Sequence, residues 1–158
     1  MLNRKLIVIG EGTCRKQLMQ LAGPTIRFTG RLPDADVEHF VSRCKALIFP
    51  GEEDFGIAPL EVAAAGRPSI AYRAGGALET IVEGVTGLFF DKQTSEDLAR
   101  AIKEFETQSW SPLALQSHAA SFRREVFQER LRSFLARAGC PLPSSSAHGN
   151  ALNLPLAS

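Results

Sequence analysis

Residues 46–61 read ALIFPGEEDFGIAPLE, and they contain in order a strand, a turn and the start of a helix. The apolar run 46–49 is typical of a strand buried on both faces of a parallel sheet, and Pro50-Gly51 ends it. A helix is predicted at about 59–65, because proline fits in the first turn of a helix. A buried strand followed by a helix is the repeating unit of α/β proteins.

The same unit recurs along most of the chain. Short, mostly apolar segments predict further strands at residues 6–9, 26–28, 69–71 and 87–90. Helices are predicted between and after them, at about 14–21, from 34 onward, near 77–82 and at 95–105, the last capped by Thr94. Strands that alternate with helices at this spacing indicate a Rossmann-like α/β fold with a doubly wound parallel sheet.

The C-terminal part differs from this pattern. C-terminal helices are predicted at about 113–138, with an apolar face that includes Phe122 and Leu135 and a stop at Gly139. Residues 139–158 are rich in Pro, Ser, Ala and Asn and carry no charged side chain, so they are predicted to form a disordered tail. Residues 1–138 are predicted to form a single domain, because their number suits one hydrophobic core.

The composition excludes several classes of protein. Lys and Arg number 18 and Asp and Glu 17, so the net charge of +1 gives no reason to expect a nucleic-acid partner. The three cysteines lack CxxC spacing and indicate reduced thiols rather than a disulfide framework or a zinc site. The N-terminal apolar run is too short for a signal peptide, and no stretch approaches the roughly 20 apolar residues of a membrane span. A cytoplasmic location is therefore expected.

The turn after the strand at 46–49 is the candidate ligand site. Ligands of open α/β sheets bind at the carboxyl ends of the strands, and free N–H groups at the start of the next helix favour an anion such as a diphosphate. Gly56 lets the backbone approach a ligand, Glu61 can accept two hydrogen bonds from a ribose cis-diol, and Glu53 can accept hydrogen bonds from sugar hydroxyls. These features describe a nucleotide-sugar site. On spacing alone, solvated loop acids at 52–54 are an equally good explanation.

Several segments carry a specific family signature. They are the E-x7-E pair in EDFGIAPLE (53–61), AAAGRPSIAYRAGGALETI (63–81), VEGVTGLFF (82–90), LIVIGEG (6–12) and IRFTGRL (26–32). In order and spacing they strongly resemble the C-terminal, nucleotide-sugar-binding domain of retaining GT-B glycosyltransferases (group 1, family 4). That family includes bacterial mannosyltransferases and sucrose and glycogen synthases. The resemblance covers roughly residues 5–138.

The resemblance implies a role for each matching position. Glu53 and Glu61 are the catalytic-site acids, with Glu53 on the donor hexose and Glu61 on the ribose. The backbone of residues 55–57 meets the sugar and the diphosphate, and residues 31–32 lie beside the nucleobase. Glu79 belongs to a G-G-x-x-E segment, although a solvated helix acid explains it equally well. The donor-binding residues implied in this way are Gly10, Gly12, Arg31, Leu32, Phe55, Gly56, Ile57 and Glu79.

The sequence also departs from the family pattern. In the family a first strand and helix precede the strand that matches residues 6–9, and the turn between them supplies an Arg and a Lys to the diphosphate. The chain begins at the family's second strand, so this turn and the acceptor-binding N-terminal domain are expected to be absent. In the family strand order 3-2-1-4-5-6, the absent strand would lie between the first and third strands of this chain. The two neighbouring strands are therefore expected either to close together or to expose unpaired edges that invite association.

Weaker signals have ordinary explanations. Asp34 and Asp36 match a D-x-D metal motif, but acids directly after a proline at a helix start favour the helix dipole. The glycines of Gly10-Glu11-Gly12 lack the third glycine of a dinucleotide fingerprint. A basic cluster (Arg123, Arg124, Arg130 and Arg132) is expected to be a solvated face, with peripheral contact to an anionic membrane surface as the alternative.

The function implied is glycosyl transfer, most plausibly mannosyl transfer, from a nucleotide-sugar to a glycan or lipid-linked acceptor, with retention at the anomeric carbon. GDP-mannose is the expected donor and a UDP-sugar the alternative, with no cofactor and no required metal. Without an acceptor domain, the chain is expected to be inactive alone and to need a separate N-terminal partner. The alternatives are a non-catalytic nucleotide-sugar-binding module and an inactive remnant.

Overall fold

The computed structural model describes residues 2–140, which form α/β structure in the order predicted. The chain divides after Ala120 into two compact units. The elements of the first unit are β1 (Leu6–Ile9), α1 (Arg15–Leu21), β2 (Ile26–Gly30), α2 (Asp34–Arg43), β3 (Leu47–Phe49), α3 (Ile57–Ala64), β4 (Ser69–Tyr72), α4 (Ala77–Thr80), β5 (Gly87–Phe90), α5 (Ser95–Phe105) and α6 (Pro112–Ala120). The second unit contains α7 (Arg124–Arg137). The predicted α/β class is confirmed.

The strands pair in parallel, but they form two sheets within residues 2–140. One sheet consists of β1 and β2, and the other has the order β3-β4-β5. β1 and β3 are therefore each paired along one edge, and these are the two strands between which the family order places a further strand. The prediction that β1 is buried on both faces was wrong, since Leu6 is 39% exposed and Ile7 42% exposed.

The hydrophobic core lies on both faces of the β3-β4-β5 sheet. Side chains of successive strand residues point to opposite faces, so Ala71 and Phe89 pack with α4 on one face while Ile70 and Phe90 pack with α5 on the other. All four side chains are buried. Helices covering both faces explain why these strands are continuous apolar runs rather than alternating ones.

The predicted C-terminal helices are confirmed, and within the described residues they are two, α6 and α7. α6 ends at Ala120, and α7 begins at Arg124, because Arg123 has an extended backbone with ψ of 151°. Within residues 2–140, no helix is long and apolar enough to cross a membrane. Except for Gly139 and Cys140, the predicted disordered tail lies outside the described residues.

The start of α5 is fixed by two side chains. As predicted, Thr94 caps the helix, and its hydroxyl accepts a 3.3 Å hydrogen bond from the backbone N–H of Asp97. The Asp97 carboxylate in turn accepts hydrogen bonds from the Arg100 guanidinium and from the backbone N–H groups of residues 91 and 92. These bonds, that from Arg100 foremost, lower the pKa of Asp97 from 3.8 to about 2.

We expect this carboxylate to make stability depend on pH. Because its folded-state pKa lies below the unfolded value, its contribution is complete above the unfolded pKa of 3.8 and is lost as the pH falls through about 2. Asp97→Asn should lower the melting temperature at pH 7 by a few degrees, and the gap to the wild type should close between pH 4 and pH 2. Glu96→Gln, an exposed acid in the same helical turn, is the control. A gap that stays constant with pH would contradict the assignment.

Candidate functional site

The loop between β3 and α3, residues 50–56, is the candidate donor site and is called the donor loop below. It follows the carboxyl end of a strand in the parallel sheet, as predicted. Gly56 ends the loop in the left-handed conformation, with φ of 81°, which a residue with a β-carbon rarely adopts. This backbone turn lets α3 begin at Ile57, two residues before the predicted start.

The donor loop rests on the turn that follows β4. The backbone N–H of Gly76 donates a 2.7 Å hydrogen bond to the carbonyl oxygen of Glu53. A β-carbon at Gly76 would overlap the backbone of Phe55, and one at Gly75 would overlap the carbonyl oxygen of Glu53. Gly75-Gly76 therefore serves as a flat support on which the loop lies. Neither glycine lines the cavity beside the loop.

A cavity of about 460 Å³ lies beside the donor loop and the first residue of α3, within the size range of small-molecule sites. Its lining residues are Glu52, Glu53, Asp54, Phe55, Gly56 and Ile57. The structure therefore brings together Glu53 with the three residues predicted to meet the sugar and diphosphate. Three carboxylates and no cation line this cavity, so a bound diphosphate would need positive charge from elsewhere.

The first turn of α3 supplies backbone donors to the same place. The first N–H groups of a helix have no acceptor within the helix, and no acidic side chain lies in this turn to compete for them. Glu61 lies one turn further along, four residues after Ile57 and on the same face of the helix. Both side chains are exposed, Ile57 at 62%. Glu61 is therefore accessible to a ligand that extends from the cavity along α3.

The other predicted donor-binding residues do not line this cavity. Gly10 and Gly12 follow β1, Arg31 and Leu32 follow β2, and Glu79 is exposed on α4. Gly10 has φ of 113° and donates a 2.8 Å backbone hydrogen bond to Gly30, so its position in the turn is well defined. The roles of these five residues stay predictions.

Arg73 is a residue of this region that the sequence analysis did not identify. It directly follows β4, and its guanidinium donates hydrogen bonds of 2.9 and 2.6 Å to Glu83 and one of 2.6 Å to Asp91. It also lies 4.6 Å from the ring centroid of Phe89. The hydrogen bonds from Arg73 lower the pKa of Glu83. Arg73 thus ties together the segments after β4 and β5, and the first of these carries Gly75-Gly76. In the sequence, Arg73 directly follows one predicted strand and Asp91 directly follows the next, and this pattern could have predicted the ion pair between them.

The sequence also matches known proteins. Residues 2–123 match the family model described as "Glycosyl transferases group 1". An uncharacterised glycosyltransferase of Methanocaldococcus jannaschii is 31% identical over 128 residues, which are 78% of this chain and 36% of the relative. A GDP-mannose-dependent alpha-mannosyltransferase of Corynebacterium glutamicum is 36% identical over 88 residues, 55% of this chain and 21% of the relative.

The fold matches solved structures as well. The Anabaena protein Alr3699/HepE, solved in complex with UDP, superposes with a TM-score of 0.64 at 22% identity. The match covers 85% of this chain and 41% of that protein. At this identity the likeness shows the fold alone. The chain thus spans about a third of the length of the M. jannaschii relative and two fifths of that solved chain.

Proposed function

The chain belongs to group 1 of the glycosyl transferases, and from this premise we propose that it is the donor-binding half of a retaining glycosyltransferase. The donor loop and the start of α3 hold the nucleotide-sugar. Glu61 accepts hydrogen bonds from the ribose, Glu53 accepts them from hexose hydroxyls, and the first N–H groups of α3 bind the diphosphate. The main support for this proposal is the cavity beside the donor loop. It is lined by Glu53 and by Ile57, the first residue of α3, and it lies within the segment that matches the family.

The donor is proposed to be GDP-mannose, with a UDP-sugar as the alternative. The C. glutamicum relative, whose name specifies GDP-mannose, supports the first. The solved Anabaena protein, which holds UDP, supports the second. Transfer requires no metal in this proposal, so binding should be the same with and without a chelator. The acceptor is a glycan or a lipid-linked sugar.

Transfer is proposed to need a second part that binds the acceptor. The donor cavity is lined by three carboxylates, so the cations that neutralise the diphosphate have to come from outside its lining. The open edges of β1 and β3 give a strand from that part a place to pair. In the completed site the oxygen of an acceptor hydroxyl forms the new bond to the anomeric carbon on the face from which the diphosphate leaves, and the departing diphosphate takes the hydroxyl proton.

The proposal predicts saturable binding of one nucleotide class. We expect calorimetric titration of the purified chain with GDP-mannose, GDP, UDP and UDP-glucose to show binding for either the guanine or the uracil pair. Glu61→Ala should weaken it about 10- to 100-fold, because a diol loses a charged acceptor for two hydrogen bonds. Glu38→Ala, an exposed helix acid of α2, is the matched control.

Two results would contradict the proposal. A folded chain that binds none of the four compounds is not a donor-binding module by itself, and the inactive remnant becomes the better account. Equal affinities for Glu61→Ala and Glu38→Ala would show that the ribose does not contact α3.

A further inference from the structure

We propose that Thr80 and His118 are positioning residues that hold the donor loop in its binding conformation, an inference that rests on the proposed function. Neither residue lines the donor cavity. Both belong to a continuous series of short contacts that runs from α6 through the end of α4 to the loop.

The contact nearest the ligand is the hydrogen bond from the Gly76 N–H to the carbonyl of Glu53. It fixes the backbone of the residue whose carboxylate is proposed to bind the hexose. The same turn, residues 75–76, lies flat under residues 53–55. Any movement of Gly76 is therefore transmitted directly to Glu53.

Thr80 bonds to Gly76 twice, since its backbone N–H donates a 3.1 Å hydrogen bond to the Gly76 carbonyl oxygen in addition to the bond from its side chain. Its side chain is 1% exposed, and its hydroxyl donates a 3.0 Å hydrogen bond to the carbonyl oxygen of Gly76. The same hydroxyl oxygen lies 3.0 Å from the place that a β-carbon on Gly56 would occupy. Thr80 thus bonds to the support of the donor loop, and its hydroxyl fills the space that a side chain at Gly56, the last residue of the loop, would need.

His118 links Thr80 to α6. A ring nitrogen, Nε2, lies 2.9 Å from the carbonyl oxygen of Thr80 across 38 positions of sequence. A carbonyl only accepts hydrogen bonds, so this nitrogen carries the proton and donates it. α6 also packs against α3. α6 therefore contacts the end of α4 and also α3, the helix that follows the loop.

This arrangement suits a site that is ordered before the ligand arrives. A loop held in place by buried hydrogen bonds loses little freedom when it binds, so more of the contact energy appears as affinity. The consequence is that changes at Thr80 or His118 alter nucleotide affinity without touching the nucleotide.

Amide hydrogen exchange of the full chain, followed residue by residue by NMR, tests the proposal. Thr80→Val removes the hydroxyl that bonds to Gly76, so exchange at Gly76, whose N–H donates to Glu53, and at Glu79, whose N–H donates to Gly76, should accelerate about three- to tenfold. Thr80→Ser keeps the hydroxyl and should stay near the wild-type rates. His118→Ala should accelerate the same amides, and His118→Gln, which keeps a donor, should restore them in part.

Thr86→Val is the matched control, because Thr86 is 2% exposed and its hydroxyl contacts only the backbone of Val82 among its described hydrogen bonds. Faster exchange at Gly76 and Glu79 in Thr80→Val but not in Thr86→Val supports the positioning role. Equal acceleration of these amides and of core amides in both variants, or none at Gly76 and Glu79, overturns it. Nucleotide titration is the second readout. If the wild type binds no nucleotide, the proposed function fails, while the exchange rates still decide whether Thr80 and His118 hold the loop.

Discussion

Gly76→Ala is expected to lower the free energy of unfolding by about 2–3 kcal/mol, as overpacking of a tight site does. The backbone conformation of Gly76 is ordinary, with φ of −63° and ψ of −16°, so an alanine can adopt it without strain. The penalty comes instead from the new methyl group, which would overlap backbone atoms of Phe55. Backbone cannot move aside as a flexible side chain can, so the donor loop has to lift away.

The same substitution should abolish nucleotide binding. Lifting Phe55 breaks the hydrogen bond from Gly76 to Glu53 and displaces residues that line the cavity. Urea unfolding measures the stability change, and calorimetric titration measures the binding. Gly23→Ala is the control, because a β-carbon there meets no atom within 4 Å and its φ is not in the left-handed region. A Gly76→Ala protein with wild-type stability and affinity would show that the loop does not rest on this glycine.

The sequence was sufficient to predict those parts of the fold that depend on neighbouring residues. Short β-branched and apolar runs predict β3, β4 and β5 well, because a strand covered by helices on both faces can contain little else. Thr94 was recognisable as a cap, since a hydroxyl followed by acids in the first turn is a local signal. Such features depend on neighbours within a few residues. They account for the α/β class and for the position of the donor loop.

Contacts between distant segments were not predictable in the same way. Gly75-Gly76 is consistent with any tight turn, and only the fold shows that the pair supports residues 53–55. The bonds of Arg73 join it to residues 10 and 18 positions away, and that of His118 spans 38. β1 looked like a doubly buried strand from its composition, yet its exposure depends on what pairs with and covers it. The sequence located Glu53 and the start of α3, and the structure was needed to find what holds them.

Leu115→Ala is expected to cost about 3 kcal/mol of folding free energy. Leu115 is fully buried on α6, the helix that packs against α3, and truncating such a side chain removes apolar contacts and leaves a cavity. Leu113→Ala is a closely matched control, since it makes the same substitution on the same helix at a side chain that is 73% exposed. It should change stability by less than about 0.5 kcal/mol.

Denaturant unfolding of the two variants decides whether α6 belongs to the core that supports the site. A loss near 3 kcal/mol for Leu115→Ala alone places α6 within the cooperative core, so α3 and the donor loop are held by a helix that begins 55 positions after the start of α3. Equal small losses for both would mean that α6 detaches at little cost. The donor loop would then be held by Gly76, by α4 and by the hydrogen bond from Gln93 to the Pro50 carbonyl, and His118 could not restrain Thr80. The difference between the stability losses of Leu115→Ala and Leu113→Ala therefore shows whether a working donor site requires α6.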